Sequence, residues 1–226
     1  MKKKILDIIP GVCMVGGPGI TSGDDCCVYL LEDHGEVCII DTGAGRSALM
    51  ILDNIKAAGI DSEKVRYIIV THGHIDHIGG LKQLRDALQA DIIAHRLDLP
   101  AIEEGRPELT AAAWYGVEYE GVHVNRVLDG NEVILLGPIK LHCVHTPGHT
   151  PGSISVFTDL NGKRILFAQD VHGPFMPEWG SDKNEWRKSM RYLINLNADV
   201  LCEGHYGIYS PANQVRAYIE GYLNKL

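Results

Sequence analysis

Residues 72–77 read HGHIDH, an H-x-H-x-D-H motif that places four potential metal ligands in one short stretch. Imidazole and carboxylate donors together suit zinc, iron and similar cations. His72 and His74 are two positions apart and can point the same way, while Asp76 and His77 are adjacent and can turn toward a second ion. A solvated surface side chain is the ordinary explanation for one histidine, but not for three histidines and an aspartate so closely spaced. The stretch therefore predicts a metal site.

Three further ligand candidates lie downstream, and each closes a strand-like run of residues: His149, Asp170 and His205. Two Pro-Gly pairs flank His149 and force turns around it. A carboxylate such as Asp170 can bridge two cations, which a single histidine cannot do. Each of the three has an ordinary alternative, a capping aspartate or a packed histidine. Because all three follow strands, we expect them at one rim of the sheets.

The elements that must position these side chains alternate between strand and helix in the first half and are rich in β-strands in the second. We predict strands at 26–32, 36–41, 65–70, 91–94, 132–136, 139–144, 153–158, 164–167 and 198–202. Helices are predicted at 46–58, 81–88 and 184–196, with a last one opened by Pro211. Residues 97–124 indicate a helical insert or a lid. The pattern predicts an α/β fold in which two sheets pack face to face between helices, a four-layer αββα sandwich forming one domain over residues 1–226.

The composition indicates an ordinary soluble domain, with 226 residues, 45% hydrophobic and 22% charged. A formal net charge of -8 makes a nucleic-acid partner a poor expectation. No apolar run is long enough to span a membrane, and the start of the chain lacks a signal-peptide core, so we expect a cytoplasmic protein. The six cysteines form no C-x-x-C pair, and a disulfide framework is not expected; Cys26, Cys27 and Cys38 lie in strand-like runs and are expected to be buried free thiols.

Together the H-x-H-x-D-H motif, His149, Asp170 and His205 resemble the five-motif signature of the metallo-β-lactamase superfamily. Asp41, in an Asp-Thr-Gly run, matches the first aspartate of that signature. The resemblance extends from about residue 26 to residue 207. It departs at Gln169, where relatives often have glycine before the bridging aspartate, so the local shape near the metals is expected to differ.

The resemblance implies two divalent metal ions with a water or hydroxide between them. Zinc is the favoured metal, and iron and manganese are also compatible with these donors. Asp170 would bridge the ions, and Asp76 would also act in catalysis by orienting the water or taking its proton. The implied ligands are, for one ion, His72, His74 and His149, and for the other Asp76, His77 and His205.

Within the superfamily the stretch HTPGHTPGS at 145–153 is similar to the glyoxalase II-like and lactonase-like hydrolases. The expected function is therefore metal-dependent hydrolysis of an ester, thioester or lactone-type small molecule. Glyoxalase II itself is not indicated, because residues 206–226 can form only one helix of its C-terminal domain. Acyl-homoserine lactonases carry Tyr where this chain has Gly173. A β-lactam substrate is not expected, since a periplasmic enzyme would need an export signal.

Three segments are candidates for the wall of the substrate site. Residues 11–24 form a glycine-rich stretch that could fold over the metals as a flap. The segment after Asp170 offers the substrate-binding candidates His172, Phe175 and Trp179. The insert at 97–124 contributes the third set of candidates: Arg106, Trp114 and Tyr115.

Two other functions stay open at this point. Persulfide dioxygenases resemble this fold but hold a single iron, so an oxidoreductase with one iron is one alternative. A non-catalytic metal-binding module is the other, although a structural metal site normally closes its coordination shell. The sequence also leaves a homodimer open.

Overall fold

The computed structural model describes residues 5–168 and 170–225, so the predictions that involve residues 2–4 and Gln169 lie outside the described residues. Within the described residues the first sheet has seven strands, and their order across the sheet is the same as their order along the chain. Its first four strands are antiparallel and the last four run parallel to one another. The strands are β1 (Leu6–Ile9), β2 (Val12–Gly16), β3 (Val28–Asp33), β4 (Glu36–Ile40), β5 (Val65–Ile69), β6 (Asp91–His95) and β7 (Arg126–Leu128).

The second sheet has six strands among the described residues, in the order β13-β12-β11-β10-β9-β8. Neighbouring strands are antiparallel except for the parallel pair β11 and β12. The connection of β10 to β11 turns at Asn161 and Gly162, both with positive φ, as the Asn-Gly dipeptide predicts. The strands are β8 (Glu132–Leu136), β9 (Ile139–His145), β10 (Ile154–Leu160), β11 (Lys163–Phe167), β12 (Val200–Cys202) and β13 (Ile208–Tyr209).

Helices cover the outer faces of both sheets. The helix predicted at 81–88 is confirmed, and its leucines at 81, 84 and 88 are buried at helical spacing. The helix predicted at 184–196 begins one residue earlier, after Asp182 caps it by accepting from the backbone N–H groups of Asn184 and Glu185. The helices are α1 (Ala48–Ala57), α2 (Ile75–Ile78), α3 (Leu81–Leu88), α4 (Leu99–Ile102), α5 (Pro107–Thr110), α6 (Ala112–Tyr115), α7 (Lys183–Asn195) and α8 (Ala212–Leu223).

Alternating side chains in the strands divide the interior into layers. Val37 and Ile39 of β4 pack toward α1 and α3, whereas Cys38 and Ile40 face the second sheet. A third cluster fills the space between the second sheet and helices α7 and α8, with Trp186 at its centre. The four-layer αββα sandwich is therefore confirmed. All six cysteines are buried and none is in a disulfide among the described residues, in agreement with the expectation for Cys26, Cys27 and Cys38.

The predicted flap at residues 11–24 is wrong for its first half. Val12–Gly16 is strand β2, which is buried along its whole length and pairs with β1 and β3. Its side chains face two cores in turn, Cys13 and Val15 toward the helices and Val12 and Met14 toward the second sheet. A strand buried on both faces has no polar alternation, and the flanking glycines gave it the appearance of a loop. Only the part after Gly16 is free to border a site.

The ends of five strands meet at one rim of the sandwich. Asp41 follows β4, and the H-x-H-x-D-H motif follows β5. The other three candidate ligands come after β9, β11 and β12 of the second sheet. Among the described residues no helix is long and apolar enough to cross a membrane. The single domain over residues 1–226, the homodimer and the cytoplasmic location stay predictions.

Candidate metal centre

The H-x-H-x-D-H motif begins as a loop, as expected, but its second half is helical. His74 caps α2, and the backbone N–H groups of His77 and Ile78 donate to the His74 carbonyl oxygen. Asp76 and His77 therefore lie in the first turn of a short helix rather than in irregular backbone. This turn directs both side chains toward the second group of donors described below.

One group of donors consists of three buried imidazoles from two loops. His74 Nδ1 lies 3.0 Å from His72 Nε2 and 2.9 Å from His149 Nε2. His149 Nδ1 donates to the Pro174 carbonyl oxygen at 2.9 Å, so its Nε2 carries a lone pair. Burial lowers the pKa of His149 to about 4 and the pKa values of His72 and His74 well below their ordinary value. The three rings are therefore neutral at pH 7 and present nitrogen donors to one point.

The other group combines carboxylates with imidazoles. His205 Nε2 lies 3.1 Å from Asp76 Oδ2 and 3.2 Å from Asp170 Oδ2. His77 Nε2 lies 3.3 Å from Asp170 Oδ1 and 3.8 Å from Asp76 Oδ2. Asp170 Oδ2 is also 3.5 Å from His149 Nε2, so this carboxylate lies between the two groups.

In this second group the charges of neighbouring residues shift the pKa values in the direction opposite to burial. Burial alone would lower the pKa of His205, but the Asp170 carboxylate raises it to about 10. Burial would likewise lower the pKa of His77, yet Cys26 and the carboxylates around the ring raise it well above its ordinary value. The two imidazoles in turn hold the pKa of Asp170 well below its ordinary range, against the effect of burial. Without a metal, protonated histidines neutralise the carboxylates here.

Three buried polar atoms at this rim have no hydrogen-bond partner among the described residues: His74 Nε2, His77 Nε2 and Asp170 Oδ1. The last two lie 3.3 Å apart without hydrogen-bond geometry, so both face a common point. Gly204 keeps that space open, because a Cβ atom there would overlap Asp170 Oδ1. Unpaired buried polar atoms are costly and rare in folded proteins. A nitrogen and oxygen donor set with unpaired atoms fits divalent metal ions.

Asp41 orients His77 from behind. Its Oδ2 accepts a hydrogen bond from His77 Nδ1 at 2.8 Å. His77 Nε2 is therefore the ring nitrogen that faces the second group and could bind a metal. Asp41 also accepts from the backbone N–H and the hydroxyl of Thr71, at 2.8 Å and 2.7 Å. Its backbone has a φ of 62°, a left-handed conformation that Asp tolerates better than most residues. The carboxylate is thus fixed in place.

A cavity of about 320 Å³ opens beside both groups of donors. Its wall is largely aromatic, with Trp114, Tyr115, Trp179 and Tyr206, and it also includes His172. Tyr115 lines the cavity together with Asp76, and half-burial together with that carboxylate raises the pKa of the Tyr115 hydroxyl. The helical insert predicted at 97–124 therefore reaches the metal-binding rim through its last helix, α6.

The structure brings only some of the substrate-wall candidates to this cavity. His172, Trp179, Trp114 and Tyr115 line it, and so do Pro18 and Gly23 from the remaining part of the predicted flap. Phe175 is not among the residues that line this cavity and packs against Trp186 of the α7 core, with ring centroids 5.2 Å apart, so its place in the substrate wall stays a prediction. Arg106 is exposed and pairs with Glu104 at 2.6 Å, away from the cavity.

The comparison with known families agrees with this geometry. The family model described as the metallo-beta-lactamase superfamily matches residues 22–205, which include every candidate ligand. The chain belongs to the metallo-beta-lactamase superfamily. The resemblance deduced from the motifs is thereby confirmed.

Three superfamily members illustrate the range of similarity. The probable metallo-hydrolase YybB of Bacillus subtilis is 30% identical over 186 residues, covering 78% of this chain and 79% of that protein. The hydroxyacylglutathione hydrolase GloC of Haemophilus influenzae is 23% identical over 220 residues, covering 86% and 91%. The class B3 di-zinc metallo-beta-lactamase LRA-12 from an Alaskan soil metagenome shares the fold, with a TM-score of 0.80, 23% identity and coverage of 98% and 90%.

Two buried acids outside the superfamily motif were missed by the sequence analysis. Asp98 accepts from the backbone N–H groups of Gly73 and Gly152, at 2.9 Å and 2.7 Å, and from the Thr150 hydroxyl at 2.7 Å. It therefore joins the loop of His74 to the loop of His149. Burial raises its pKa. Asp98 follows β6 without any motif around it, so the sequence carries no signal for this role.

Glu203 holds the other side of the cavity. Its carboxylate accepts from the backbone N–H groups of His205 and Tyr206, both at 2.7 Å, and from His172 Nδ1 at 2.8 Å. Glu203 is completely buried, so these contacts fix the His172 ring beside the cavity. Its place two residues before His205 was a signal that the sequence analysis did not use.

Proposed function

We propose that this chain is a hydrolase that uses two divalent metal ions. One ion would be held by the three-histidine group and the other by the group of carboxylates and imidazoles, with Asp170 bridging them. The observation that carries this proposal is the convergence of buried donor atoms at the rim: His72 Nε2 and His149 Nε2 lie within 3.0 Å of His74 Nδ1, and His77 Nε2 and Asp170 Oδ1 are left unpaired. Superfamily membership and the metallo-hydrolase named among the relatives support metal-dependent hydrolysis in general. The proposed ligands are His72, His74, Asp76, His77, His149, Asp170 and His205.

Divalent ions bound by such donors lower the pKa of water toward neutrality and polarise a substrate carbonyl oxygen. A side chain of the protein would accept the proton released by the water. Burial would raise the pKa of Asp76, but His77 and His205 lower it, so the carboxylate stays ionised and can accept a proton. His205 Nε2 lies 3.1 Å from that carboxylate, and Tyr115 lines the cavity beside it. Asp76 is therefore the proposed catalytic residue.

The proposed substrates are esters, thioesters or lactones of small size. A hydroxyacylglutathione hydrolase, named for a thioester reaction, is among the relatives. The cavity volume of about 320 Å³ lies at the small end of the range for small-molecule sites. The wall includes His172 and Trp179 from the segment after Asp170, which we assign to substrate binding. Zinc is the proposed metal, because imidazole and carboxylate donors bind it well.

Metal content and hydrolysis test this proposal together. We expect two equivalents of metal per chain by elemental analysis of protein purified without added metal. The same protein should hydrolyse at least one class in a panel of esters, thioesters and lactones, and chelation should abolish that activity. One equivalent of iron with no hydrolysis would contradict the proposal and favour the oxidation of persulfides. Two equivalents of metal with no turnover of any compound would favour a non-catalytic metal-binding module.

Replacement of Asp76 tests its role within the site. In Asp76→Asn we expect kcat to fall by about a hundredfold or more, within the range of general-base contributions. The KM of the best substrate should change by less than about threefold, since the carboxylate acts on the proton. Metal content of the variant must be measured alongside, because Asp76 is also a proposed ligand. Equal losses in kcat and in substrate binding at unchanged metal content would contradict the assignment.

A further inference from the structure

Two tryptophans from distant segments form a ledge over the three-histidine group. Trp179, at the end of the short 3₁₀ helix Pro177–Trp179, is only 4% exposed and contacts His74 with ring centroids 4.4 Å apart. Trp114 of α6 lies against Trp179 at a centroid distance of 4.8 Å. Trp114 is 60% exposed, so most of its indole surface faces solvent at the cavity. The fold gains little from an indole in that position, whereas a bound flat group would gain contact area.

The charges around the cavity are unlike those of a site for anionic substrates. Among the described residues that line it, none is Lys or Arg, and the ionisable side chains are acids, histidines and tyrosines. Arg46 lies near the rim, but it donates to the Tyr115 carbonyl oxygen at 3.1 Å and lies 3.6 Å from the Asp24 carboxylate. A carboxylate or phosphate distant from the bond to be cleaved would thus have no cationic side chain to replace its water.

We propose that this site selects neutral acyl compounds that carry a flat apolar group next to the reactive carbonyl. The flat group would stack on the ledge formed by Trp114 and Trp179, beside His74. This inference rests on the proposed hydrolase function and specifies its substrate class. It also separates the chain from hydrolases of charged conjugates, since a distant anionic group would remain unpaired.

Three thioesters with the same leaving group, N-acetylcysteamine, test the inference. Their acyl groups are 2-naphthylacetyl, 6-carboxy-2-naphthylacetyl and propionyl. For the zinc-loaded protein we expect kcat/KM of the neutral naphthyl compound to exceed that of its carboxylated analogue by about tenfold. In Trp114→Ala the value for the neutral naphthyl compound should fall by about tenfold, and the value for propionyl by less than twofold. Tyr192→Ala, which removes a 42% exposed aromatic ring on α7, should change neither.

Binding of a compound that cannot be hydrolysed separates this inference from the function on which it rests. Calorimetric titration with 2-naphthylacetamide should give a Kd about tenfold weaker in Trp114→Ala than in the unaltered protein or Tyr192→Ala. If no thioester is cleaved but this difference in Kd is found, the binding of a flat group at Trp114 is supported and thioester hydrolysis is contradicted. If thioesters are cleaved but Trp114→Ala changes neither Kd nor the preference for the naphthyl group, the inference is overturned. Faster cleavage of the carboxylated compound would also overturn it, and loss of that preference in Arg46→Met would identify the anchoring cation.

Discussion

The two donor groups lie at the same rim, but the histidines of one group are neutral and those of the other are protonated. In the group of His72, His74 and His149, burial lowers the pKa of every ring, so neutral nitrogen donors face one another. In the other group, carboxylates raise the pKa values of His77 and His205, so protons take the place of a cation. The three-histidine group is therefore ready to bind a metal at neutral pH, whereas the carboxylate group must release protons to bind one.

The neighbours of each group explain this contrast. The three-histidine group lies among other imidazoles and Trp179, and its nearest carboxylate, Asp170, is 3.5 Å from His149 Nε2, so burial outweighs the attraction of that carboxylate for a proton. The second group contains Asp76 and Asp170 and is backed by Asp41. The Asp170 carboxylate approaches both groups, so it couples them.

Asp170→Asn should have the largest effect, because it removes the one carboxylate shared by both groups. We expect metal content to fall well below two equivalents and kcat/KM to fall by more than about a hundredfold. This loss is larger than that expected for a residue that contacts a metal ligand but not the metal itself. Elemental analysis and steady-state kinetics measure both. Asp159→Asn, which neutralises an exposed aspartate paired with Arg164, is the matched control and should bind metal normally. Full metal content in Asp170→Asn would contradict the bridging assignment.

Single-histidine variants should separate the two groups. His149→Ala should retain the metal of the carboxylate group, and His205→Ala should retain that of the three-histidine group, so each binds one equivalent instead of two. Cobalt substitution followed by absorption spectroscopy would show which environment remains. Loss of both equivalents in both variants would mean that the two sites cannot be occupied independently.

The sequence predicted that these side chains meet at one rim but not the difference in charge between the two groups. Residue type and spacing identify the H-x-H-x-D-H motif, and strand ends bring His149, Asp170 and His205 to the same rim. Protonation depends on which carboxylates surround each ring in space, and the sequence does not give those distances. The helical turn at 75–78 was missed for a related reason, since four residues are too few for a periodic pattern.

The fold was predictable where patterns are long and was missed where they are short. The two sheets and the helices α3 and α7 follow from regular apolar spacing. The strands β7 and β13 have three and two residues, which is below the length of any alternation signal. The carboxylates of Asp98 and Glu203 organise the loops around the ligands, but polar residues of this kind show their role only through burial and contacts.

Asp41→Asn should weaken metal binding at the carboxylate group and leave the three-histidine group unchanged. The substitution keeps the left-handed backbone accessible, because Asn tolerates positive φ, while it removes the charge that faces His77 Nδ1. We expect the affinity for the second equivalent to fall by about 10–100-fold. Competition with a chromophoric chelator measures each equivalent, so the first serves as an internal control. An equal loss at both sites would indicate a general change in the rim.

Acid should affect the two sites differently in protein freed of metal by chelation. The pKa of His205 is raised to about 10, so at pH 7 its proton is bound and the metal must displace it. The affinity of the carboxylate group should therefore increase by about tenfold per pH unit for each proton displaced. The pKa of His149 is about 4, so affinity at the three-histidine group should be nearly constant above pH 5. Chelator competition between pH 6 and 8.5 measures both slopes, and parallel slopes would contradict the contrast in charge.

The smallest expected effect is that of Tyr115→Phe, which removes the hydroxyl near Asp76 but keeps the ring in the cavity wall. Because one hydrogen bond contributes about 1 kcal/mol, we expect kcat to fall by about fivefold with little change in KM or metal content. Tyr119→Phe is a matched control from the same insert, since its hydroxyl donates to the Ile102 carbonyl oxygen at 3.1 Å, away from the cavity. A change in KM alone would make Tyr115 part of the substrate wall only. A change in the affinity for the second equivalent of metal would instead show that the hydroxyl positions Asp76 as a ligand. The insert at 97–124 would then contribute to metal binding at the carboxylate group.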